Sequence, residues 1–582
     1  MNLQTLLQAR FQAATSQLTG ESSARADSIK PTKDPKFGDY QANGAMALAK
    51  QLGKKPQEVA KELIAKLNLT GLDAPEVAGP GFINLRFATP WLAERVTEVA
   101  HDDRLGVSLA AKPLNYVIDY SSPNVAKPMH VGHLRSTIIG DSLTRLLRFL
   151  GHHVVTDNHL GDWGTQFGIL IYGFKHFLNQ AALDKDPVDE MLRIYIHVRN
   201  LIKEEGGDDE DDTGGKNIAE ACRLETAKLH KGDPENVALW KRMMPWCQEE
   251  LDRVYRKLGI LPYDVILGES YYNPVLHEVM DDLKAKGISE ESRGAQVVFH
   301  GENQPPSLVQ KGDGAYTYTT TDLATIRHRV TAFKANVCLY VVDFRQSLHF
   351  QQLFSIARRW GYTEVDLIHI SFGSVLGADG KPIKTREGGA IELGSLLDEA
   401  IVRARKIVDE NSGDLPEADR QKIAEVVGIG AVKYADLCQN RSTDYLFSWE
   451  KMLAMQGNTG AYMQYAYARI RSIFRKVGVT AESVRQAAPA ISLNEPQERA
   501  LALAVLRFPE ALDAALAEYK PSAITQYLWD LANAFSSFFE KCHVARAETK
   551  ELQQSRLLLC DLTARVLQKG LDLLGIQTIE QM

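Results

Sequence analysis

The sequence predicts an α/β protein: a doubly wound domain on a parallel sheet, with a small α+β domain before it and an all-α domain after it. Three observations carry that expectation. From Leu114 the chain alternates strand, helix, strand: NYVIDYSS, then HLRSTIIGDSLTRLLRFL, then HHVVTDNH. The middle segment has apolar residues at Leu134, Ile138, Ile139, Leu143, Leu146, Leu147 and Leu150, a helical stripe that Gly151 closes as a C′ glycine. From Leu396 to Met582 the patterns are helical, with no strong strand signal.

The elements follow in order. Residues 1–110 form the first domain. Its helical patterns at Leu3–Leu18 and Ala45–Leu52 precede EVAGPGFINLRF, a strand signal bounded by Gly-Pro-Gly, and a helix from Pro90 to about His101 leads onward. Residues 111–395 form the doubly wound domain, with an insertion at about 170–295. The insertion holds EEGGDDEDDTGGK (204–216), an acidic glycine-rich tract that reads as a solvated surface loop. Strand patterns resume near Ala295–His300, in VCLYVVDF (Val337–Phe344) and in LIHISFGSVL. Residues 396–582 form the helical domain.

Composition narrows the function classes. The 582 residues, 45% apolar and 24% charged, suit an ordinary globular protein with several cores. No apolar run reaches the ~18 residues of a membrane span, so no membrane partner is expected. The first residues alternate apolar and polar in helical fashion and do not read as a signal peptide. Cys222, Cys247, Cys338, Cys438, Cys542 and Cys560 are scattered without a CxxC pair, so neither a structural metal nor a disulfide framework is expected, and the expected compartment is a reducing cytoplasm. A net charge of −7 argues against nucleic acid unless a local cationic patch supplies the contact.

The chemistry starts at MHVGHLRS. His130 and His133 stand where a strand pattern gives way to a helical one. Ligands of open α/β sheets bind beyond the carboxyl ends of the strands, and a helix N-terminus there favours phosphate. Gly132 allows close approach, and the two imidazoles can donate to phosphoryl oxygens. The alternatives are two helix-capping side chains or two metal ligands; no companion cluster of carboxylates or cysteines supports a metal. Tyr318 and Asp322, four apart, would share a helical face, while Asp119 and Asp322 also read as turn and helix caps. Trp163 is a core residue or a stacking surface for a base. Tyr462, Tyr465 and Arg469 share a helical face suited to splayed RNA bases, or else pack into a bundle. VLGADGKPIKTREGG (375–389) mimics a P-loop but fails as one, because Pro382 follows Lys381.

Several stretches carry a resemblance to one family. SSPNVAKPMHVGHLRSTIIGD resembles the HIGH motif of class I aminoacyl-tRNA synthetases, most closely that of the arginyl-tRNA synthetases. NHLGDWGTQFG, AYTYTTTDLA, YVVDFRQSLHF and GNTGAYMQYAYARIRSI resemble that family in the same order, through nearly the whole chain. The resemblance implies a class I Rossmann-like catalytic domain, an additional N-terminal domain that contacts the tRNA elbow, and a helical anticodon-binding domain. It implies ATP-dependent activation of L-arginine and transfer to the terminal adenosine of tRNA(Arg), with Mg²⁺ accompanying ATP, in a cytoplasmic monomer.

The resemblance also assigns residues. His130, Gly132 and His133 are expected at the ATP phosphates. Asp119, Asn124, Tyr318, Asp322 and Gln346 match positions that hold arginine. The place of the KMSKS lysines departs from that motif, which leaves Lys381, Lys384, Arg386 and Lys127 as candidate phosphate cations. Anticodon contacts are expected from Tyr462, Tyr465 and Arg469, with Phe539 and Met582 as further candidates. Phe37, Tyr40, Gln41 and Asn43 are elbow candidates, or a turn and a hydrophobic staple. A small-molecule nucleotidyltransferase would share the HxGH site without needing the long helical segment. A non-catalytic RNA-binding paralogue would not need His130, His133, Asp119 and Asp322 intact.

Overall fold

The computed structural model describes residues 2–20, 29–125, 127–206, 217–301, 304–377, 379–381, 383 and 391–582. Lys384, Arg386 and most of the acidic tract lie outside the described residues. The chain divides into two compact units. Among the described residues no helix is long and apolar enough to cross a membrane.

One unit spans residues 110–453 and 573–576. Its centre is a parallel sheet of β1 (Asn115–Asp119), β2 (His153–Asp157), β3 (Val337–Tyr340) and β4 (Asp366–His369). The strand order is β4-β3-β1-β2, so the direction of winding reverses between β1 and β3. That reversal opens a crevice at the carboxyl ends of those two strands. Helix α1 (Val131–Phe149) joins β1 to β2, α2 (Tyr318–Thr331) precedes β3, and α3 (Ser347–Trp360) joins β3 to β4.

The apolar stripe of α1 marks only one of its buried faces. Arg135, Ser136, Thr137, Asp141, Ser142 and Thr144 are buried as well, and each finds a partner. Arg135 pairs with Asp436 at 3.1 Å and donates to the carbonyl of Gly373 at 2.7 Å. Ser136 donates to the carbonyl of Val341 at 2.6 Å. Gly140 lets Tyr120 lie against the helix, since a Cβ there would stand 2.1 Å from that ring. Gly151 takes the left-handed conformation its C′ position requires.

The insertion is helical from Thr165 to Leu258 among its described residues. The strand expected near Ala295–His300 forms at Ala295–Val298, but not in the parallel sheet. It is the middle strand of an antiparallel three-stranded sheet with Glu290–Ser292 and Ser307–Gln310. Only long-range pairing decides which sheet a short strand joins.

The other unit contains residues 2–109, 454–572 and 577–582 among those described. Its N-terminal part is a four-stranded antiparallel sheet with the helices Leu3–Thr19, Ala45–Leu52 and Pro56–Lys66. The single strand signal around Gly-Pro-Gly is a hairpin, Glu76–Ala78 paired with Phe82–Leu85. The helices Gly460–Val477, Pro496–Leu506, Phe508–Glu518, Ser522–Lys541 and Lys550–Leu573 form its helical part. Arg499 grips Asp39 through two bonds of 2.9 and 2.8 Å and ties the two parts together.

Candidate active site

The crevice begins at Asp119, the last residue of β1. The chain then turns through Ser121 and Ser122, both at positive φ (67° and 44°). Successive non-glycine residues there cost on the order of 1 kcal/mol or more each. The surroundings hold them. The N–H of Ser121 donates to Oγ of Ser136 at 2.8 Å, and the N–H of Ser122 donates to Oδ1 of Asn158 at 3.0 Å. Oγ of Ser122 donates to Oδ1 of Asp119 at 2.6 Å. Asn124, exposed, bridges in parallel to Gly161. Asp119 does accept a turn hydrogen bond, as the capping alternative expected, and it also faces a buried cation. Nη2 of Arg329 lies 2.7 Å from Asp119 and 2.7 Å from Asp157.

The two histidines close the first turn of α1 reciprocally. Nδ1 of His130 accepts the N–H of Gly132 at 3.1 Å, and Nδ1 of His133 accepts the N–H of His130 at 3.2 Å. A ring nitrogen that accepts cannot carry the proton, so both rings are Nε2–H tautomers. Burial pushes His133 down to about 3, and the neighbouring His130 adds to that. Burial also lowers His130, with Lys127 and Arg345 contributing. Both imidazoles are therefore neutral near pH 7, each with one N–H to donate. The capping alternative is correct as geometry, and capping is what orients the donors. A Cβ on Gly132 would stand 2.8 Å from Cε1 of His130, so this glycine makes room for the neighbouring ring.

The segment that follows β4 returns to the same place. Val375–Leu376 pairs with Tyr445–Leu446, Gly377 donates to the carbonyl of Lys381 at 2.7 Å, and Lys381 N–H donates to Asp379 at 3.1 Å. Farther along, the N–H of Val131 donates to the carbonyl of Ile391 at 3.0 Å, and that of Leu393 to Met129 at 2.8 Å. Ile391 and Leu393 are thus pinned beside His130. Arg345, just past β3, was missed by sequence reasoning although it stands next to Gln346 in YVVDFRQ; Asp343 holds its guanidinium at 2.8 and 3.1 Å.

Tyr318 and Asp322 lie in the first two turns of α2, so Asp322 is inside the helix and does not cap it. Tyr318 is 65% exposed. His349 joins the two: its Nε2 lies 2.7 Å from Oδ2 of Asp322, and its ring meets that of Tyr318 edge-on at 4.9 Å. Gln346 is exposed at the start of α3. A second carboxylate faces this group. Burial raises Glu269, and Asp162 and Asp322 raise it further, while His159 opposes them. Its main-chain N–H donates to Leu160, but among the described residues no side chain bonds its carboxylate. A half-buried carboxylate left unpaired beside Asp322 fits a guanidinium that the protein itself does not supply. Only its place in GESYY, as the first residue of a short helix, could have hinted at it. Trp163 is half-buried, stacked on His230 at 5.5 Å and edge-on to Trp240. No three His, Cys, Asp or Glu side chains gather as a metal cluster among the described residues.

In the other unit, the helix Gly460–Val477 keeps Tyr462, Tyr465 and Arg469 on one face. Tyr465 is 37% exposed, the Arg469 guanidinium lies 4.0 Å over the ring of Phe539, and Tyr462 meets Trp529 at 5.4 Å. Trp529 was not expected from the sequence, because it belongs to a helix remote in the chain. Met582 is half-buried at the end. Phe37 is exposed, Asn43 is half-buried, and Gln41 donates to Asn84 at 2.8 Å. Tyr40 corrects the expectation of an RNA contact. It is fully buried, its hydroxyl 2.5 Å from Glu510 and its ring under the Arg507 guanidinium at 4.8 Å. No face of it is left for a ligand.

Known proteins resemble this chain in sequence and in fold. Residues 95–449 match the family model for the catalytic domain of class I (R) tRNA synthetases, 463–582 the DALR anticodon binding domain, and 4–87 the arginyl tRNA synthetase N-terminal domain. The arginine–tRNA ligase of Rhodopirellula baltica is 43% identical and that of Citrobacter koseri 44%, each aligned over the whole of both chains. Among solved structures, arginyl-tRNA synthetase from Plasmodium falciparum superposes with a TM-score of 0.84 at 29% identity, covering 100% of this chain and 99% of its own. The Thermus thermophilus enzyme gives 0.83 at 26%, covering both chains fully. The chain belongs to the arginyl-tRNA synthetases, the class I enzymes with arginine–tRNA ligase activity.

Proposed function

We propose that the crevice beyond β1 and β3 holds arginine and ATP in two adjoining half-sites. Glu269 and Asp322 pair with the guanidinium, and Tyr318 and Gln346 line its stem. Asp119 and Asn124 hold the α-ammonium end, because their turn runs directly into the phosphate site. His130 and His133 donate Nε2–H to the phosphates over Gly132. Lys127, with Lys381, Lys384 and Arg386, supplies cations. Mg²⁺ enters with ATP as part of the substrate.

The arginine carboxylate attacks the α-phosphorus, and the bond to the bridging oxygen breaks to release pyrophosphate. Charge grows on the phosphoryl oxygens in that displacement, where fixed neutral donors gain most. The 2′-hydroxyl of the terminal adenosine then attacks the adenylate carbonyl, and AMP leaves. Trp163 offers a stacking surface to that adenine. Residues 396–582 read the anticodon of tRNA(Arg) through Tyr462, Tyr465, Arg469, Phe539 and Met582, joined by Trp529. Residues 1–110 meet the elbow through Phe37, Gln41 and Asn43. The working form is a cytoplasmic monomer.

The observation that supports this reading best is the pair of neutral, pre-oriented imidazoles, together with a Glu269 carboxylate that no side chain bonds among the described residues. The half-sites separate in kinetics. His130→Ala lowers the rate of ATP–pyrophosphate exchange by about 10²–10³-fold with arginine KM little changed. Asp322→Asn raises arginine KM while ATP KM stays within about twofold. A common loss of both affinities in each variant would refute two half-sites.

A further inference from the structure

The buried salt bridge under the crevice has a role that the substrate contacts do not explain. Asp119 and Asp157 end adjacent parallel strands and are partners in register, so their carboxylates face the same side of the sheet. Two carboxylates so placed repel, and without a cation they cannot both ionise. Arg329 lies between them, fully buried. Its Nη2 is 2.7 Å from each, and its Nε donates to Asp157 at 3.1 Å. The guanidinium also rests over the ring of Tyr340 at 5.1 Å. Burial raises Asp157, and Asp119 opposes its ionisation further. Tyr272, Tyr340 and Cys338 face the same group and are all pushed up, so they bring no charge.

Arg329 is not an isolated core residue. It stands on α2, the helix that carries Tyr318 and Asp322, and offsets of four and eleven residues put all three on one helical face. The exposed end of that face enters the crevice, and the buried end grips the strand that supplies Asp119. Oδ2 of Asp119 is held by Arg329 and Oδ1 by Ser122. The carboxylate is thereby fixed in rotation.

We propose that Arg329 is a positioning residue for the amino-acid substrate: by bridging Asp119 and Asp157 it fixes the Asp119 carboxylate for the α-ammonium of arginine. This rests on the reading of Asp119 as an arginine contact. Arg329→Met brings the two carboxylates together without a cation. Arginine KM then rises at least tenfold, and ATP KM stays within about twofold. Asp157→Asn in that background removes the repulsion and offers Asp119 an amide donor. It recovers at least a fivefold share of the lost arginine affinity. A role in stability alone predicts recovery of the melting temperature without a selective recovery of arginine KM, since among the described residues the Asp157 side chain bonds only to Arg329.

The experiment measures arginine and ATP KM for Arg329→Met, Arg329→Met/Asp157→Asn, Arg329→Lys and Asp119→Asn, with thermal melts of each. If Arg329→Met does not fold, Arg329→Lys keeps the cation and the question: it should raise arginine KM while sparing ATP KM. Arginine KM unchanged in Arg329→Met or, failing that, in Arg329→Lys overturns the inference, as does a folded double variant no better than the single one. Unchanged arginine KM in Asp119→Asn overturns the reading of Asp119 instead. A rise there without one at Arg329 overturns only the positioning role.

Discussion

Nδ1 of His133 accepts the main-chain N–H of His130, and that one bond fixes the tautomer of the His133 side chain. Burial makes the same imidazole sensitive to acid. His133 sits at about 3 in the folded protein, against 6.5 as the ordinary value. Above 6.5 neither state binds the proton. Below it the unfolded chain protonates first, so stability falls as pH drops from 6.5 toward 3. His133→Asn removes this contribution. The loss of Tm between pH 7.5 and pH 5 should shrink by a few degrees in the variant. Calorimetry at both pH values checks it, and an equal loss in both proteins would count against the buried neutral imidazole.

Among the described residues no side chain bonds the Glu269 carboxylate. Glu269→Gln keeps its shape and removes its charge. Arginine KM should rise by about 10- to 100-fold, the range of a lost hydrogen bond to a charged group, with ATP KM little moved. Steady-state exchange kinetics at varied arginine measure it. A change below about twofold would place the guanidinium elsewhere.

Lys127 stands three residues before His130 and close enough to lower its pKa. Lys127→Ala should reduce arginine activation by at least tenfold and leave tRNA affinity within about twofold. Filter binding and exchange assays on one preparation compare the two. Equal losses would assign Lys127 to the tRNA.

How far the sequence reached differs from element to element. The strand–helix–strand from Asn115 to Asp157 was legible because its period and its closing Gly151 are local signals. The helix face of Tyr462, Tyr465 and Arg469 was legible for the same reason. The contacts that give the crevice its shape were not. Arg329 meets Asp119 across 210 residues and Arg135 meets Asp436 across 301. No periodicity encodes such pairs. The histidines were found by spacing, but their reciprocal capping depends on rotamers. Tyr40 reads as an elbow contact or as part of a turn and a hydrophobic staple, and only tertiary packing under Arg507 shows it buried.

That burial separates Tyr40 from the RNA candidates. Tyr40→Phe leaves Glu510 without its hydroxyl partner and should cost about 1 kcal/mol of stability, with tRNA affinity unchanged. Arg469→Ala and Tyr465→Ala should leave stability nearly intact and weaken tRNA at least several-fold, since a stacked base contributes about 1–3 kcal/mol. Denaturant melts and tRNA titrations on all three variants decide. Weaker tRNA binding by a normally folded Tyr40→Phe would restore its role as a contact.

The most direct test of the account is ATP–pyrophosphate exchange by the unmodified protein, run with each amino acid, with and without tRNA(Arg). Exchange should depend on arginine alone among the amino acids and should require the tRNA. Exchange indifferent to both arginine and tRNA would contradict the account.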